Sequence, residues 1–216
     1  MLINPRSGPV KAGVILVPKR FVIDKAAIRT AQGIANTGFA VWIPEMVSAP
    51  ITIENITAEQ LNEFAMILRE ENRTFRRTLK GRCAVGVVGA WLGGTAAMMS
   101  GPGVFDATVL VSPYLKIPVA DKEGFRQPLD YLAETSMPVL GVFGELSSEV
   151  PLEDVRQLES MLYTRGGVHE VYTYPGIGHA FFDPEEGNAE YKEPAERDLW
   201  IRIDRFFDQN VKVALS

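Results

Sequence analysis

Short apolar runs alternate with amphipathic stretches along most of the chain. Almost wholly apolar runs of this kind are typical of strands buried on both faces of a sheet. They cover Gly13 to Val17, Cys83 to Val88, Ala107 to Val111 and Val139 to Phe143. Two further strands are predicted at Phe39 to Ile43 and at Val168 to Tyr174.

The amphipathic stretches between the runs predict helices. Asp24 is a candidate N-cap, and Thr57 with Gln60 has the spacing of a capping box. The predicted helices are Ala26 to Thr37, Thr57 to Leu79, Leu92 to Ser100, Leu129 to Ala133, Pro151 to Tyr163 and Pro194 to Phe207. Strands and helices in strict succession predict a mostly parallel central sheet with helices on both faces.

Two irregular segments, Glu45 to Ile56 and Ser112 to Ser136, follow predicted strands. Ligands of open α/β sheets bind at the carboxyl ends of the strands, so these segments are expected to cover any pocket. The stretches Gln127 to Glu134 and Asp183 to Glu186 are interpreted as solvated loops or short helices, or as the border of a partner interface.

Composition narrows the class of protein. The 216 residues are 46% hydrophobic and 23% charged, which favours a single domain over residues 1–216. A formal net charge of −5 argues against nucleic acid or an anionic membrane as a partner. We find no apolar signal core and no run of membrane-spanning length, so a cytoplasmic location is expected. Cys83 is the only cysteine, which excludes an internal disulfide and a thiolate metal cluster.

The segment Val85 to Ala97 predicts a buried strand, a sharp turn and the start of a helix of small residues. Gly89 and Gly93 flank the turn as in a nucleophile elbow, Gly-x-Nuc-x-Gly, but Trp91 stands at its centre. Thr95, in a pattern shifted along the helix, and Cys83, at the far end of the strand, are weaker candidate nucleophiles. The glycines lack the G-x-G-x-x-G spacing of a dinucleotide site, and no cofactor is predicted.

Three stretches resemble the dienelactone hydrolases of the α/β-hydrolase superfamily, and the resemblance extends from about Gly13 to Gln209. They are Val87 to Gly94, Pro138 to Glu145 and Tyr174 to Phe182, where the sequence Gly-Ile-Gly-His ends at His179. The tail from Tyr191 to Phe207 is similar to the closing helix of that family. The resemblance implies the α/β-hydrolase fold.

The resemblance also implies positions for a catalytic triad, which consists of a nucleophile, an acid and a histidine. His179 matches the histidine, whereas Trp91 falls at the nucleophile position and Ser147 at the acid position. Glu145 and Glu149 are possible substitutes for the acid, and the Leu92 amide is a possible oxyanion-type donor. If the turn keeps its usual strained backbone, the indole projects into the former pocket and leaves a small central cavity.

The function predicted from these residues is that of a non-catalytic pseudoenzyme that binds a small molecule or a protein partner. The alternative is a carboxylic ester or lactone hydrolase that uses an unrecognised nucleophile or a water activated by His179. His169 lies on a predicted strand far from His179, so no metal site is expected.

Overall fold

Seven strands form one sheet in the computed structural model, which describes residues 1–81, 83–118, 124–185 and 187–211. They are β1 (Leu2–Ile3), β2 (Gly13–Val17), β3 (Ala40–Trp42), β4 (Val85–Ala90), β5 (Ala107–Val111), β6 (Val139–Gly144) and β7 (His169–Tyr174). Their order across the sheet is β1-β3-β2-β4-β5-β6-β7. All neighbouring pairs are parallel except β1 with β3, where Leu2 lies opposite Trp42. The predicted mostly parallel sheet is confirmed, and the short antiparallel β1 is an addition to it.

Within the described ranges, six helices surround the sheet. They are α1 (Lys25–Asn36), α2 (Ala58–Thr78), α3 (Leu92–Met99), α4 (Pro128–Leu132), α5 (Leu152–Arg165) and α6 (Glu193–Asn210). Each predicted helix is present, with ends shifted by at most three residues. Among the described residues, no helix has both the length and the apolar character needed to cross a membrane.

Sequence-encoded caps explain where two of these helices begin. The Asp24 carboxylate accepts a hydrogen bond from the Ala27 amide at 2.7 Å, which starts α1. At the start of α2, the Gln60 amide donates to Thr57 Oγ1 at 3.2 Å and the Thr57 amide donates to Gln60 Oε1 at 2.9 Å. The predicted N-cap and capping box are thus both confirmed.

Alternate side chains of the buried strands contribute to two separate cores. Ile15 and Val17 of β2 pack with residues of α2, α3, α4 and α5, whereas Val14 and Leu16 pack with α1 and α6. The strands therefore read as continuous apolar runs because both faces of the sheet are covered by helices.

The long segment after β5 is more buried than its sequence suggests. Residues 119–123 of Ser112 to Ser136 lie outside the described part of the chain. Within the remainder, Leu129 and Leu132 of α4 are buried in the core beside α3 and α5. Of the two interpretations of Gln127 to Glu134, the short helix is confirmed and the solvated loop is wrong, because Leu129 and Leu132 of α4 pack in the core.

Glycines allow β4, α3 and the end of β2 to approach closely. A Cβ atom on Gly89 would lie 2.6 Å from Gly94 Cα and 2.7 Å from the Gly93 carbonyl oxygen. A Cβ on Gly93 would lie 2.5 Å from the carbonyl oxygens of Val17 and Pro18. These obstacles are backbone atoms, which cannot move aside as a flexible side chain can.

Gly89→Ala is expected to lower the free energy of unfolding by about 1–3 kcal/mol or more, because the added methyl group would push α3 away from β4. Gly33→Ala is the matched control, since no heavy atom lies within 4 Å of its added Cβ. This second change is expected to stabilise α1 by about 0.5–1 kcal/mol. Urea unfolding of both variants measures the difference, and equal stabilities would contradict the close packing at Gly89.

Candidate functional site

Trp91 occupies the sharp turn between β4 and α3. Its backbone has φ 48° and ψ −123°, in a region that bulky residues rarely adopt. The turn is held in place because the Trp91 amide donates to the Val111 carbonyl and the Trp91 carbonyl accepts from the Thr95 amide, both at 3.0 Å. The turn therefore keeps a strained conformation, at a cost of about 1–3 kcal/mol, although its side chain is an indole.

The indole of Trp91 packs against the loop that follows β7. It stacks on the His179 imidazole with ring centroids 5.2 Å apart and 21° between the planes. The Phe182 ring contacts the indole in a T-shaped arrangement, with ring centroids 5.9 Å apart. Lys19 Nζ lies 5.2 Å from the ring centroid of the indole. The indole nitrogen is buried and has no hydrogen-bond partner among the described residues.

His179 is almost fully buried, with 3% of its surface exposed. Its Nδ1 lies 3.0 Å from Ser147 Oγ, which also accepts a hydrogen bond from the Val150 amide at 2.9 Å. Glu149 Oε2 is 4.0 Å from the same Nδ1, beyond hydrogen-bond range. Glu145 instead accepts a hydrogen bond from the Gly176 amide at 2.7 Å. Of the two candidate substitute acids, the structure brings only Glu149 near the imidazole.

The hydrogen bonds of Ser147 favour one tautomer of His179. The hydroxyl has a single proton, and one of its lone pairs already accepts from the Val150 amide. If the second lone pair accepted from Nδ1–H, the hydroxyl proton would have no acceptor among the described residues. We therefore infer that the hydroxyl donates to Nδ1 and that the imidazole proton is on Nε2. A carboxylate at position 147 would have the opposite effect, because it would accept a hydrogen bond from Nδ1–H and leave Nε2 free as a base.

Burial keeps His179 and Tyr114, the two ionisable rings beside the indole, uncharged. Desolvation lowers the pKa of His179, and the charges of Glu149 and Glu190 oppose this only in part. Desolvation also raises the pKa of Tyr114 to about 12, and its ring centroid lies 5.6 Å from that of His179. At neutral pH the site therefore contains a neutral imidazole and a neutral phenol.

A buried ion pair joins the loop after β2 to the loop after His179. The Lys19 ammonium forms a close salt bridge with Asp183, and both side chains are less than one-tenth exposed. Glu185 completes the cluster at 2.9 Å from Lys19 and 3.0 Å from Arg20. The interpretation of Asp183 to Glu186 as solvated is wrong for Asp183, because Lys19 pairs with it inside the protein, and Glu186 lies outside the described residues. Lys19 and Asp183 are too far apart along the chain for their spacing to predict this pairing.

A groove of about 180 Å³ opens beside the indole at the carboxyl ends of the strands. Its lining comprises Lys19, Arg20, Ile51, Thr52, Ile53, Glu54, Trp91, Leu92 and Tyr114. Leu92 is the first residue of α3, so its amide has no acceptor within the helix. The segment Glu45 to Ile56 does border this groove, as its position after β3 predicts. The volume is below the range of about 300–1,000 Å³ that holds drug-sized ligands.

The other candidate nucleophiles lie away from this groove or are not accessible. Thr95 is fully buried, and its hydroxyl accepts from the Tyr114 amide at 3.0 Å while lying within donating distance of the Trp91 and Tyr114 carbonyls. Cys83 precedes β4 at the opposite edge of the sheet.

His169 begins β7, whereas His179 follows its carboxyl end. Across the described residues, no group of three or more His, Cys, Asp or Glu side chains has a geometry that suits a metal ion.

Comparison with known proteins places this geometry in a family. A model described as the dienelactone hydrolase family matches residues 1–211. A carboxymethylenebutenolidase from Rhodococcus opacus is 28% identical over 158 residues, which is 68% of this chain and 59% of that protein. A protein from Escherichia coli O157:H7, provisionally named a carboxymethylenebutenolidase, is 32% identical over 88 residues. That match spans 39% of this chain and only 30% of the relative.

Solved structures show the same fold at low sequence identity. A protein from Klebsiella pneumoniae, described provisionally as a dienelactone hydrolase, aligns with a TM-score of 0.74 at 20% identity and covers 96% of this chain and 91% of its own. A thermophilic esterase from Thermogutta terrifontis with bound butyrate aligns with a TM-score of 0.73 at 12% identity. That alignment covers 100% of this chain and 90% of the esterase. These likenesses support the α/β-hydrolase fold predicted from the sequence.

Nitrogen-15 NMR of the imidazole is expected to find the proton of neutral His179 on Nε2, with a pH titration midpoint below the ordinary value of about 6.5. Ser147→Asp is expected to move the proton to Nδ1 and to raise the midpoint, because a carboxylate stabilises the imidazolium. Ser148→Asp is the matched control, since the Ser148 hydroxyl contacts Glu149 instead of His179. A wild-type proton on Nδ1 would contradict the assigned tautomer.

Proposed function

The chain belongs to the dienelactone hydrolase family, and we propose that it is a non-catalytic member that binds a small carbonyl or carboxylate compound without hydrolysing it. One observation carries this proposal: an indole occupies the strained turn where Gly-x-Nuc-x-Gly requires a nucleophile. Covalent acyl transfer needs an oxygen or sulfur atom there, and an indole has neither.

The state of His179 supports the same conclusion. A general base must offer a free nitrogen to the group that it deprotonates, whereas in the tautomer that we infer Ser147 donates to Nδ1 and Nε2 carries the proton. The Nε2 atom is also buried, without a partner among the described residues. A water molecule activated by His179 is therefore disfavoured by both tautomer and access.

The free-energy cost of the site supports a role in ligand binding over a simple loss of function. The strained turn at Trp91 and the unpartnered nitrogens of Trp91 and His179 each cost about 1–3 kcal/mol. A role in ligand binding would explain why these unfavourable features occur together in one site. A concave groove suits a small molecule better than the surface of a protein partner.

The groove indicates the chemistry of that ligand. Leu92 lines the groove and begins α3, where the helix dipole favours a partial or full negative charge. The neighbouring lining is apolar and aromatic, from Ile51, Ile53, Trp91 and Tyr114. A small compound with a carbonyl or carboxylate oxygen and a short apolar body meets both requirements.

Purified wild-type protein is expected to hydrolyse activated esters and lactones no faster than the His179→Ala variant. Trp91→Cys combined with Ser147→Asp is expected to raise the hydrolysis rate at least about a hundredfold, because it supplies a thiol and returns the base to Nε2. Trp91→Cys alone is the control, and its gain is expected to be smaller since the tautomer of His179 is unchanged.

Hydrolysis by the wild-type protein that disappears in His179→Ala would reject the non-catalytic proposal. It would favour the alternative, a working ester or lactone hydrolase, to which the names of the relatives point. Wild-type activity that persists in His179→Ala would direct the search to a nucleophile elsewhere in the chain.

Butyrate, the ligand named for the Thermogutta terrifontis esterase, is a suitable probe for binding. A titration followed by amide NMR is expected to shift the Leu92 resonance and the Trp91 indole resonance in a saturable way. Butyramide and butylamine serve as matched probes, since the first keeps the carbonyl oxygen and the second has none. Stronger binding of butylamine than of butyrate would contradict a site that recognises an acceptor oxygen.

A further inference from the structure

A basic face of α2 stands out in an acidic protein. The chain has a formal net charge of −5, yet the segment 69–80 carries five basic side chains and only two acidic ones. Arg69, Arg73 and Arg76 have the spacing i, i+4, i+7, which places them on one side of the helix.

The three arginines line a cleft of about 580 Å³ between α2 and the loop that follows α3. Arg69 Nε donates to the Ser100 carbonyl at 2.6 Å, so its guanidinium is anchored while its two terminal nitrogens have no acceptor in the described part of the chain. Arg76 forms a salt bridge with Asp106 at 2.7 Å, and Arg73 forms one with Glu70 at 3.0 Å. Anchored guanidinium groups with free N–H bonds are suited to bind the oxygens of an anion.

Asn72 adds a buried acceptor to the same cleft. It is 5% exposed, and its amide nitrogen donates to the Val104 carbonyl. Its Oδ1 is buried with no partner among the described residues. An unpaired acceptor costs about 1–3 kcal/mol unless a donor reaches it, which indicates a ligand with a hydroxyl group.

The loop opposite α2 leaves room for such a ligand. Gly103 has φ 73°, and no heavy atom lies within 4 Å of the position of a Cβ. A side chain there would be strained and would extend into open space beside the arginines.

We propose that this cleft binds a small phosphomonoester that also carries hydroxyl groups. The phosphate lies between Arg69 and Arg73, and a hydroxyl group donates to Asn72 Oδ1. The cleft is at the amino-terminal edge of the sheet, since Asp106 accepts from the amide of Val85, the first residue of β4. It lies across the sheet from the groove at Trp91, so the proposal does not depend on the function proposed for that groove.

Isothermal titration at low ionic strength with glycerol 3-phosphate, inorganic phosphate and glycerol tests the proposal. Glycerol 3-phosphate is expected to bind saturably and more tightly than inorganic phosphate, and glycerol alone is expected not to bind. Arg73→Gln is expected to weaken glycerol 3-phosphate binding about tenfold, because one charge-assisted contact is lost.

Arg77→Gln is the matched control. Arg73 and Arg77 are both largely exposed, and both contact Glu70, but only Arg73 lines the cleft. The control is expected to change the affinity by less than about twofold, as for one screened surface charge. Because both side chains are exposed, neither variant is expected to disturb folding.

Three results would overturn the proposal. Equal weakening by the two variants would show attraction to the general charge of α2 instead of a site. Equal affinities for glycerol 3-phosphate and inorganic phosphate would remove the role of Asn72. Tighter, Arg73-dependent binding of a single-stranded oligonucleotide without terminal phosphates would assign the arginines to a nucleic-acid backbone.

Discussion

The contact between the backbones of β4, α3 and the end of β2 is the constraint on which the candidate site depends. Gly89, Gly93 and Gly94 allow these segments to approach to distances at which a Cβ would meet backbone atoms. The chain must then reverse from strand to helix within one residue, and Trp91 takes the positive φ that this requires. The position of the indole against His179 follows from that geometry.

Electrostatics divides the site into a neutral part and a charged part. His179 and Tyr114 are kept neutral by burial, whereas Lys19 and Asp183 form a buried ion pair. The ion pair ties together two loops that flank the indole, so removing one partner would leave an isolated charge in the interior. The charges thus hold the site in shape and do not supply a proton acceptor.

Sequence reasoning predicts local features of this protein well and distant pairings poorly. The strands, the Thr57 capping box and the turn at Trp91 were predictable because neighbouring residues encode them. The two-residue strand β1 was not predictable, since Leu2–Ile3 is too short to show a period. The pairing of Lys19 with Asp183 and the burial of α4 depend on tertiary contacts. The tautomer of His179 depends on three groups, Val150, Ser147 and His179, whose arrangement only coordinates reveal.

The strained turn at Trp91 also bears on how this protein can evolve. Tryptophan has a single codon, UGG, and one nucleotide change converts it to a cysteine codon. Because the backbone at position 91 is already in the conformation that a nucleophile needs, that change would place a thiol in a ready-made setting. Any serine codon lies at least two changes from an aspartate codon, so an aspartate at position 147 is harder to reach by mutation. A thiol at position 91 is therefore one nucleotide change away, whereas a carboxylate at position 147 requires at least two.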